Sequence, residues 1–206
     1  IITEISLSTN RPYVSNCSII SSGSIAVNAI ANFSNCFIQG VRNAIQPPSN
    51  TSASFLPKFS NCTIKAEGLS NQGIIHGVGA NLNAIFKQRR LESTIGVCVW
   101  IRNNYSNNFF FEDCDIIAQT NCVVFKNTLV RTATGRTTFK RCSFYSKTAS
   151  TTGEIFMEQG YNVSDLGKTQ VIGTTLYNKA FTTADVARFE VLGDQITVTD
   201  AQIPVE

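Results

Sequence analysis

The chain has 206 residues, with 17 basic and 14 acidic side chains and a formal net charge of +3. No five like charges follow one another, which argues against a nucleic-acid-binding surface because such surfaces need clustered Lys and Arg. No stretch approaches the roughly 18 consecutive apolar residues of a membrane span. The length suits one domain with a continuous core.

The first residues, Ile1-Ile2-Thr3-Glu4, include no Met, and no basic segment or small-residue cleavage site follows them. We therefore expect a processed or trimmed chain whose original N-terminus is missing.

A six-residue motif recurs along the chain. Clear copies are VSNCSI at 14–19, FSNCFI at 33–38, FSNCTI at 59–64, FEDCDI at 111–116 and FKRCSF at 139–144. Weaker copies begin at residues 86, 166 and 191, so the steps between starts are 19, 26, 27, 25, 28, 27 and 25 residues. A period in this range predicts a solenoid, in which each repeat buries its apolar face only by stacking on its neighbours.

Within the motif, the fourth and sixth positions are two apart and point the same way from a strand. The first position lies three before the fourth, which breaks the alternation and places a corner at the third position. That position is often Asn, which after Gly most readily adopts left-handed backbone. It holds Asn16, Asn35, Asn61, Gln88, Asp113, Arg141, Lys168 and Gly193. We expect Asn16, Asn35, Asn61 and Asp113 to form a stacked ladder along one edge.

Five of the seven cysteines occupy the fourth motif position: Cys17, Cys36, Cys62, Cys114 and Cys142. No CxxC pair occurs, so the sequence predicts no metal site. A disulfide framework is an open alternative, but the shared position favours reduced thiols that fill the core as small apolar groups. Arg89 takes the Cys position in the fourth copy. Because a buried Arg is costly unless paired, we expect that repeat to be shifted or opened.

Two further strands are predicted in each repeat. CVWIRN at 98–103 aligns with CVVFKN at 122–127, and residues 25–27, 44–45, 74–75 and 155–157 hold a similar place. A third short strand runs into the motif at 84–86, 109–111 and 137–139. Three strands in each repeat of roughly 25 residues predict a three-sheet coil, and eight coils would form a rod of about 40 Å.

This pattern resembles the right-handed parallel β-helix of the pectin-lyase-like superfamily, and its Asn corner is similar to the turn between the second and third sheets of that family. The resemblance implies an all-β solenoid of about eight coils over residues 14–196. Residues 1–13 would form an N-terminal cap or linker, and residues 197–206 a C-terminal cap or exit segment. Polar insertions at 46–54, 102–108, 128–136 and 146–153 are expected to cluster on one face, often the binding face.

Enzymes of this superfamily that hydrolyse sugars use paired carboxylates, and its lyases use a basic residue beside carboxylate-bound calcium. In the acidic cluster Glu112, Asp113 and Asp115, Asp113 is the corner residue, and Glu112 and Asp115 fit solvated charge at a strand end. Glu154 and Glu158 lie about 13 Å apart along an extended strand, too far for the ~5–9.5 Å of a glycosidase pair. We predict no catalytic residue and no cofactor, and His76, the one histidine, is expected to be structural.

Aromatic and charged residues near the second strand are the candidates for sugar binding. They are Trp100, Arg102, Tyr105, Lys126 and Glu158, which offer stacking faces and charge-assisted hydrogen bonds. Trp100 fits a core position equally well.

The few acids and the Ser/Thr/Asn-rich surface are similar to those of β-helical segments in phage tailspikes, head fibres and capsid appendages. The resemblance implies a non-catalytic structural or adhesive protein at a virion surface or in the extracellular space. Its expected partners are two further copies of itself in a homotrimer, other virion proteins and a cell-surface polysaccharide. Two alternatives stay open, a polysaccharide lyase or hydrolase and a bacterial surface adhesin, because a fold alone does not determine function.

Overall fold

The computed structural model describes residues 12–22, 25–27, 31–46, 57–67, 73, 75–77, 83–102, 108–126, 137–147, 155–157, 169–173, 175–177, 189–193 and 196–198. Within these ranges the chain is all-β, with no helix. The predicted caps and polar insertions lie largely outside the described residues.

Most strands are three or four residues long because the apolar stretches that form them are short, whereas β10 and β12 have 11 residues each. They are β1 (Tyr13–Ser15), β2 (Ser18–Ile20), β3 (Ile25–Val27), β4 (Asn32–Ser34), β5 (Phe37–Gln39), β6 (Asn43–Ile45), β7 (Lys58–Ser60), β8 (Thr63–Ala66), β9 (Ile75–Gly77), β10 (Asn83–Ser93), β11 (Val99–Arg102), β12 (Asn108–Ala118), β13 (Val123–Lys126), β14 (Thr138–Lys140), β15 (Ser143–Ser146), β16 (Ile155–Met157), β17 (Thr169–Ile172), β18 (Thr175–Tyr177), β19 (Phe189–Leu192) and β20 (Ile196–Val198).

All the paired strands are parallel, and they form one curled sheet of 14 strands and a second sheet of six. One row of the large sheet runs β1-β4-β7-β10-β12-β14-β17-β19. A second row contains β2, β5, β8, β15, β18 and β20, and it joins the first because β10 and β12 are long enough to take part in both. The smaller sheet has the order β16-β13-β11-β9-β6-β3. Neighbouring strands therefore come from successive motif copies.

The predicted corner is confirmed by the backbone. The φ angles are 53° at Asn16, 50° at Asn35, 55° at Asn61, 53° at Gln88, 55° at Asp113 and 51° at Arg141. Residues other than Gly rarely adopt this left-handed region, and Asn and Asp are several-fold enriched among those that do. The same corner conformation in successive copies keeps the chain in register from one strand to the next.

The seventh motif copy does not begin at residue 166, and this prediction is wrong. In the pairing of β14 with β17, Val171 lies beside Phe139 and takes the first motif position. The corner is then Gly173, with a φ of 54°, in place of the predicted Lys168, which lies outside the described residues. Gly adopts this conformation without the steric cost that a Cβ brings.

Arg89 does not shift its repeat, so that expectation is also wrong. Strand β10 continues through it, with Lys87 beside Glu112 and Arg89 beside Cys114. On the other side, Arg90 pairs with Thr63. The side chain of Arg89 lies outside the described residues, but its backbone keeps the common register.

The first motif position builds a continuous aromatic stack through the core. Ring centroids are 5.0 Å apart for Phe33 and Phe59, 4.8 Å for Phe59 and Phe86, 4.9 Å for Phe86 and Phe111, and 4.8 Å for Phe111 and Phe139. These spacings match the ~4.7–4.9 Å between neighbouring strands. The sixth position adds a second column that is 0% exposed, formed by Ile19, Ile38, Ile64, Leu91, Ile116 and Phe144.

No disulfide joins any of the seven cysteines in the structure, and the reduced state of the five motif thiols stays a prediction. Cys36, Cys62, Cys114 and Cys142 are at most 3% exposed. Each donates its thiol to the carbonyl oxygen two residues earlier, at 3.1 to 3.5 Å. The fourth position therefore suits a side chain that is small and apolar yet carries a weak donor.

Candidate functional site

One edge of the large sheet carries a ladder of side-chain amides at the corners. Asn35 donates Nδ2 to Oδ1 of Asn16 at 3.2 Å, and Asn61 donates Nδ2 to Oδ1 of Asn35 at 2.5 Å. Each amide thus donates to the preceding copy, so the chain of hydrogen bonds has one direction. The three side chains are exposed and hydrogen-bonded as predicted for Asn16, Asn35 and Asn61, whereas Asp113, the fourth predicted member, binds Arg141.

Further along the same edge, the ladder changes from amides to charges. Arg141 donates Nε to Oδ1 of Asp113 at 2.7 Å and Nη2 to Oδ2 at 2.9 Å. This bidentate pair lowers the pKa of Asp113 through the Arg141 hydrogen bonds and raises the pKa of Arg141. Planar two-bond contacts of this kind combine charge with fixed geometry.

Glu112 lies at the centre of a cluster of cations on the outer side of the corner. Register places Lys87 on one side of it and Lys140 on the other. Its carboxylate is 2.7 Å from Nζ of Lys87, 3.1 Å from Nζ of Lys140 and 3.0 Å from Nη2 of Arg141. The Glu112 side chain is 13% exposed. We call Lys87, Glu112, Asp113, Lys140 and Arg141 the corner ion cluster.

The corner ion cluster fixes the protonation state of Glu112. Hydrogen bonds from Lys87 and Lys140 outweigh the opposing effect of burial and lower the pKa of Glu112 to about 2. A general acid needs a pKa near the working pH. Glu112 is therefore a fixed negative charge near neutral pH and has no proton to give.

A second, looser cluster surrounds Glu92 on the neighbouring row of strands. Its carboxylate lies 3.6 Å from Nζ of Lys65, 3.4 Å from Nε of Arg90 and 3.7 Å from Nζ of Lys147. The Glu92 side chain is 12% exposed. Both glutamates are thus held by three cations each, in part from other motif copies.

The expectation that Glu112 is a solvated charge is wrong. Its pairing with cations could have been predicted from the sequence. The second motif position is Lys87, Glu112 and Lys140 in three successive copies. Opposite charges on adjacent strands attract when they lie side by side. Asp115, in contrast, is exposed as expected.

The residues predicted to bind sugars are only partly described. Trp100 is buried, with 7% of its surface exposed, so stacking on a sugar would require the indole to leave this position. Arg102 and Lys126 are register partners at the ends of β11 and β13, but their side chains lie outside the described residues. Tyr105 and Glu158 also lie outside them. Sugar binding at this face stays a prediction.

Trp100 is packed against a glycine that no other residue could replace. A Cβ on Gly73 would lie 2.8 Å from Cβ of Trp100, and Gly73 has a φ of 58°. Backbone pairing also places His76 beside Trp100, while the His76 side chain lies outside the described residues. The close contact with Gly73 fits the core alternative for the indole.

A small cleft of about 190 Å³ opens where the second row of strands ends. It is lined by Gln39, Gly40, Val41, Lys65, Ala66, Glu67 and Thr94. Gly40 is required there, because a Cβ would lie 1.9 Å from the carbonyl oxygen of Asn43. Among these lining residues Glu67 is the only carboxylate, so the cleft does not pair two acids.

No protein-family model, curated protein or solved structure matches the chain. Among the residues that the structure describes, no group of three His, Cys, Asp or Glu side chains could hold a metal ion. The described residues also include no helix that is long and apolar enough to cross a membrane.

Proposed function

We propose that this chain is a β-helical solenoid of about eight coils with a structural and adhesive role at a virion surface, of the tailspike or head-fibre kind. The non-catalytic part of this proposal rests on Glu112. Its carboxylate lies among two lysines and an arginine and has a pKa of about 2. A hydrolase of the pectin-lyase-like superfamily would need a carboxylic acid that exchanges a proton on an accessible face.

The β-helical part of the proposal is supported by the columns of identical side chains. Phe33, Phe59, Phe86, Phe111 and Phe139 stack at the strand spacing. Successive corners share one backbone conformation, and all strand neighbours are parallel. Such repetition is typical of solenoids, where stability is close to a sum over repeats and nearest-neighbour contacts.

The structural role is supported by where the charges are. Glu112 and Glu92 bind cations on neighbouring strands, so their ion pairs hold strands in register. A one-residue slip would move each apolar side chain to the wrong face, and it would also separate these charges. The clusters therefore serve the architecture of the sheet.

Self-association into a homotrimer is the part of the proposal that concerns exposed apolar side chains. Among the described residues, Tyr13, Ile20, Val41, Ile95 and Leu192 are 38 to 68% exposed. A homotrimer would cover part of this surface, and other virion proteins or a cell-surface polysaccharide would contact the remainder. A bacterial adhesin would share these features in a longer chain.

The proposal is tested by three measurements on the purified chain. Native mass spectrometry should give a trimer. Incubation with bacterial surface polysaccharides should release no reducing ends and no unsaturated products, whereas binding to immobilised polysaccharide should be detectable.

Glu112→Gln and Asp115→Asn are the matched variants, one in the corner ion cluster and one exposed. Turnover that either variant abolishes would establish the enzyme alternative, and a monomer without polysaccharide binding would contradict the adhesive role.

A further inference from the structure

The two cysteines nearest the N-terminus lie in contact. Sγ of Cys17 is 3.5 Å from Sγ of Cys36. The residues that follow them, Ser18 and Phe37, are register partners on β2 and β5, and the Phe37 amide donates to the carbonyl oxygen of Cys17 at 3.0 Å. Residues side by side on adjacent parallel strands have Cα atoms roughly 5 Å apart, within the ~4.4–6.8 Å range that a disulfide can bridge.

This pair differs from the other cysteines of the column in its accessibility. Cys17 is half-buried, at the end of the column, whereas Cys36 is 3% exposed and Cys62 is 1% exposed. A reagent in solution therefore reaches Cys17 first. Cys36 is then the nearest second thiol, because its sulfur already touches that of Cys17.

We propose that Cys17 and Cys36 are an oxidation site, which a small-molecule disulfide converts into a covalent link between the first two motif copies. The thiolate of Cys17 attacks the disulfide RSSR, forms a mixed disulfide with one half and releases the other half as RS⁻. The thiolate of Cys36 then attacks Sγ of Cys17, forms the Cys17–Cys36 bond and releases the second RS⁻. The two cysteines lose two protons and two electrons, and RSSR is reduced to two thiols.

The site reacts slowly near neutral pH for a physical reason. Burial and the neighbouring Cys36 thiol raise the pKa of Cys17 to about 11. Only the thiolate attacks a disulfide. As long as the pH is below that pKa, the rate of the first step should therefore rise roughly tenfold with each unit of increase in pH. The first step is therefore slow near neutral pH and becomes faster at alkaline pH.

The link would fasten the end of the sheet. It closes a loop of about 20 residues, and a disulfide across such a loop stabilises mainly by restricting the unfolded chain. We expect the melting temperature to rise by roughly 5–10 °C after oxidation. This inference does not depend on the proposed function.

The experiment uses oxidised glutathione at pH 8.5, with free thiols counted after unfolding. The wild type should fall from seven free thiols by two. Chymotrypsin cuts after Phe33, between the two cysteines, so the disulfide can be located by mass spectrometry with and without reduction. Cys17→Ser should lose no thiol pair and gain no stability. Cys142→Ala, which changes the same column far from the pair, should still form the link.

The proposal is overturned if the wild type keeps all its thiols, if Cys17 ends as a mixed disulfide with glutathione, or if the bond joins other cysteines. Circular dichroism of each variant shows whether the fold is retained. Should Cys142→Ala unfold, Cys142→Ser replaces it as the control.

Discussion

The side-chain amide of Asn61 donates to Oδ1 of Asn35 at 2.5 Å, although both side chains are exposed to solvent. Both residues also have left-handed backbone, with φ of 55° and 50°. Each Asn therefore contributes in two separable ways, through the conformation that it tolerates and through the hydrogen bond that it forms. Substitutions at Asn61 can distinguish the two contributions.

Asn61→Val should destabilise the chain by about 2 kcal/mol. Left-handed backbone costs a residue with a branched Cβ roughly 1–2 kcal/mol, and the lost hydrogen bond adds about 0.5–1.5 kcal/mol. Asn61→Gly removes the amide but tolerates the backbone, so it should cost less than Val. The measurement is urea unfolding of the three proteins. Equal stabilities of Asn61→Val and wild type would remove the argument for the corner.

Gln88→Asn should stabilise the chain by about 0.5–1 kcal/mol. Gln88 has a φ of 53° at an exposed corner, and Asn is better suited to that conformation than Gln. The control is Gln88→Ala, which lacks the amide and should be no more stable than wild type. A loss of stability in the Asn variant, seen as a lower urea midpoint, would contradict the prediction.

Stability should fall in acid as Glu112 is protonated. Its folded pKa of about 2 lies below the ordinary value of 4.5. A lowered pKa contributes stability that is fully present above pH 4.5 and is lost as the pH falls towards 2. Glu112→Gln should flatten this part of the stability–pH profile, whereas Asp115→Asn, at an exposed position, should leave it steep. Parallel profiles for wild type and Glu112→Gln would exclude Glu112 as the cause.

Phe86→Ala should be the most damaging of these changes, at about 3–5 kcal/mol. Phe86 is 0% exposed and stacks on Phe59 and Phe111, so removal of its ring leaves a cavity between two aromatic neighbours. Phe37→Ala is the matched control, because Phe37 is only half-buried. Thermal unfolding measures both. Similar losses at the two positions would show that the stack has no special importance.

The sequence predicted the corners and the core columns well because both depend on local chemistry. Six residues are enough to predict the local structure. The Asn marks the corner, and the Phe before it and the Cys after it mark the buried face of the two strands that meet there. The position predicted for the seventh copy is wrong because its residues differ from the usual motif residues. Val171 is apolar but is not Phe, and Gly173 adopts the left-handed corner but is not Asn. Arg89 keeps the common register because it pairs with Cys114 on one side, and on the other side the pairing resumes at the next residue, Arg90.

The corner ion cluster was harder to predict because it depends on contacts between copies. Glu112 is one acid among 14 when the sequence is read along the chain, and it becomes distinctive only when Lys87 and Lys140 are placed on either side of it. The environment of Trp100 was undecided for a similar reason. Its burial depends on Gly73, which is distant in sequence and makes room through its missing Cβ.

The aromatic stack has a consequence for how this chain can change in length. Each ring touches the ring before and the ring after at nearly the same distance, 4.8 to 5.0 Å. If the 26 residues from Phe33 to Lys58 were duplicated or deleted, the motif Phe, corner Asn and Cys at the junction would still meet the same motif positions of the neighbouring copy. Growth by whole repeats is thus nearly free of mismatch, whereas insertion of a single residue inside a motif would misalign every column at once. The stack of strands can therefore lengthen or shorten only by whole motif copies, each of which adds or removes one strand spacing.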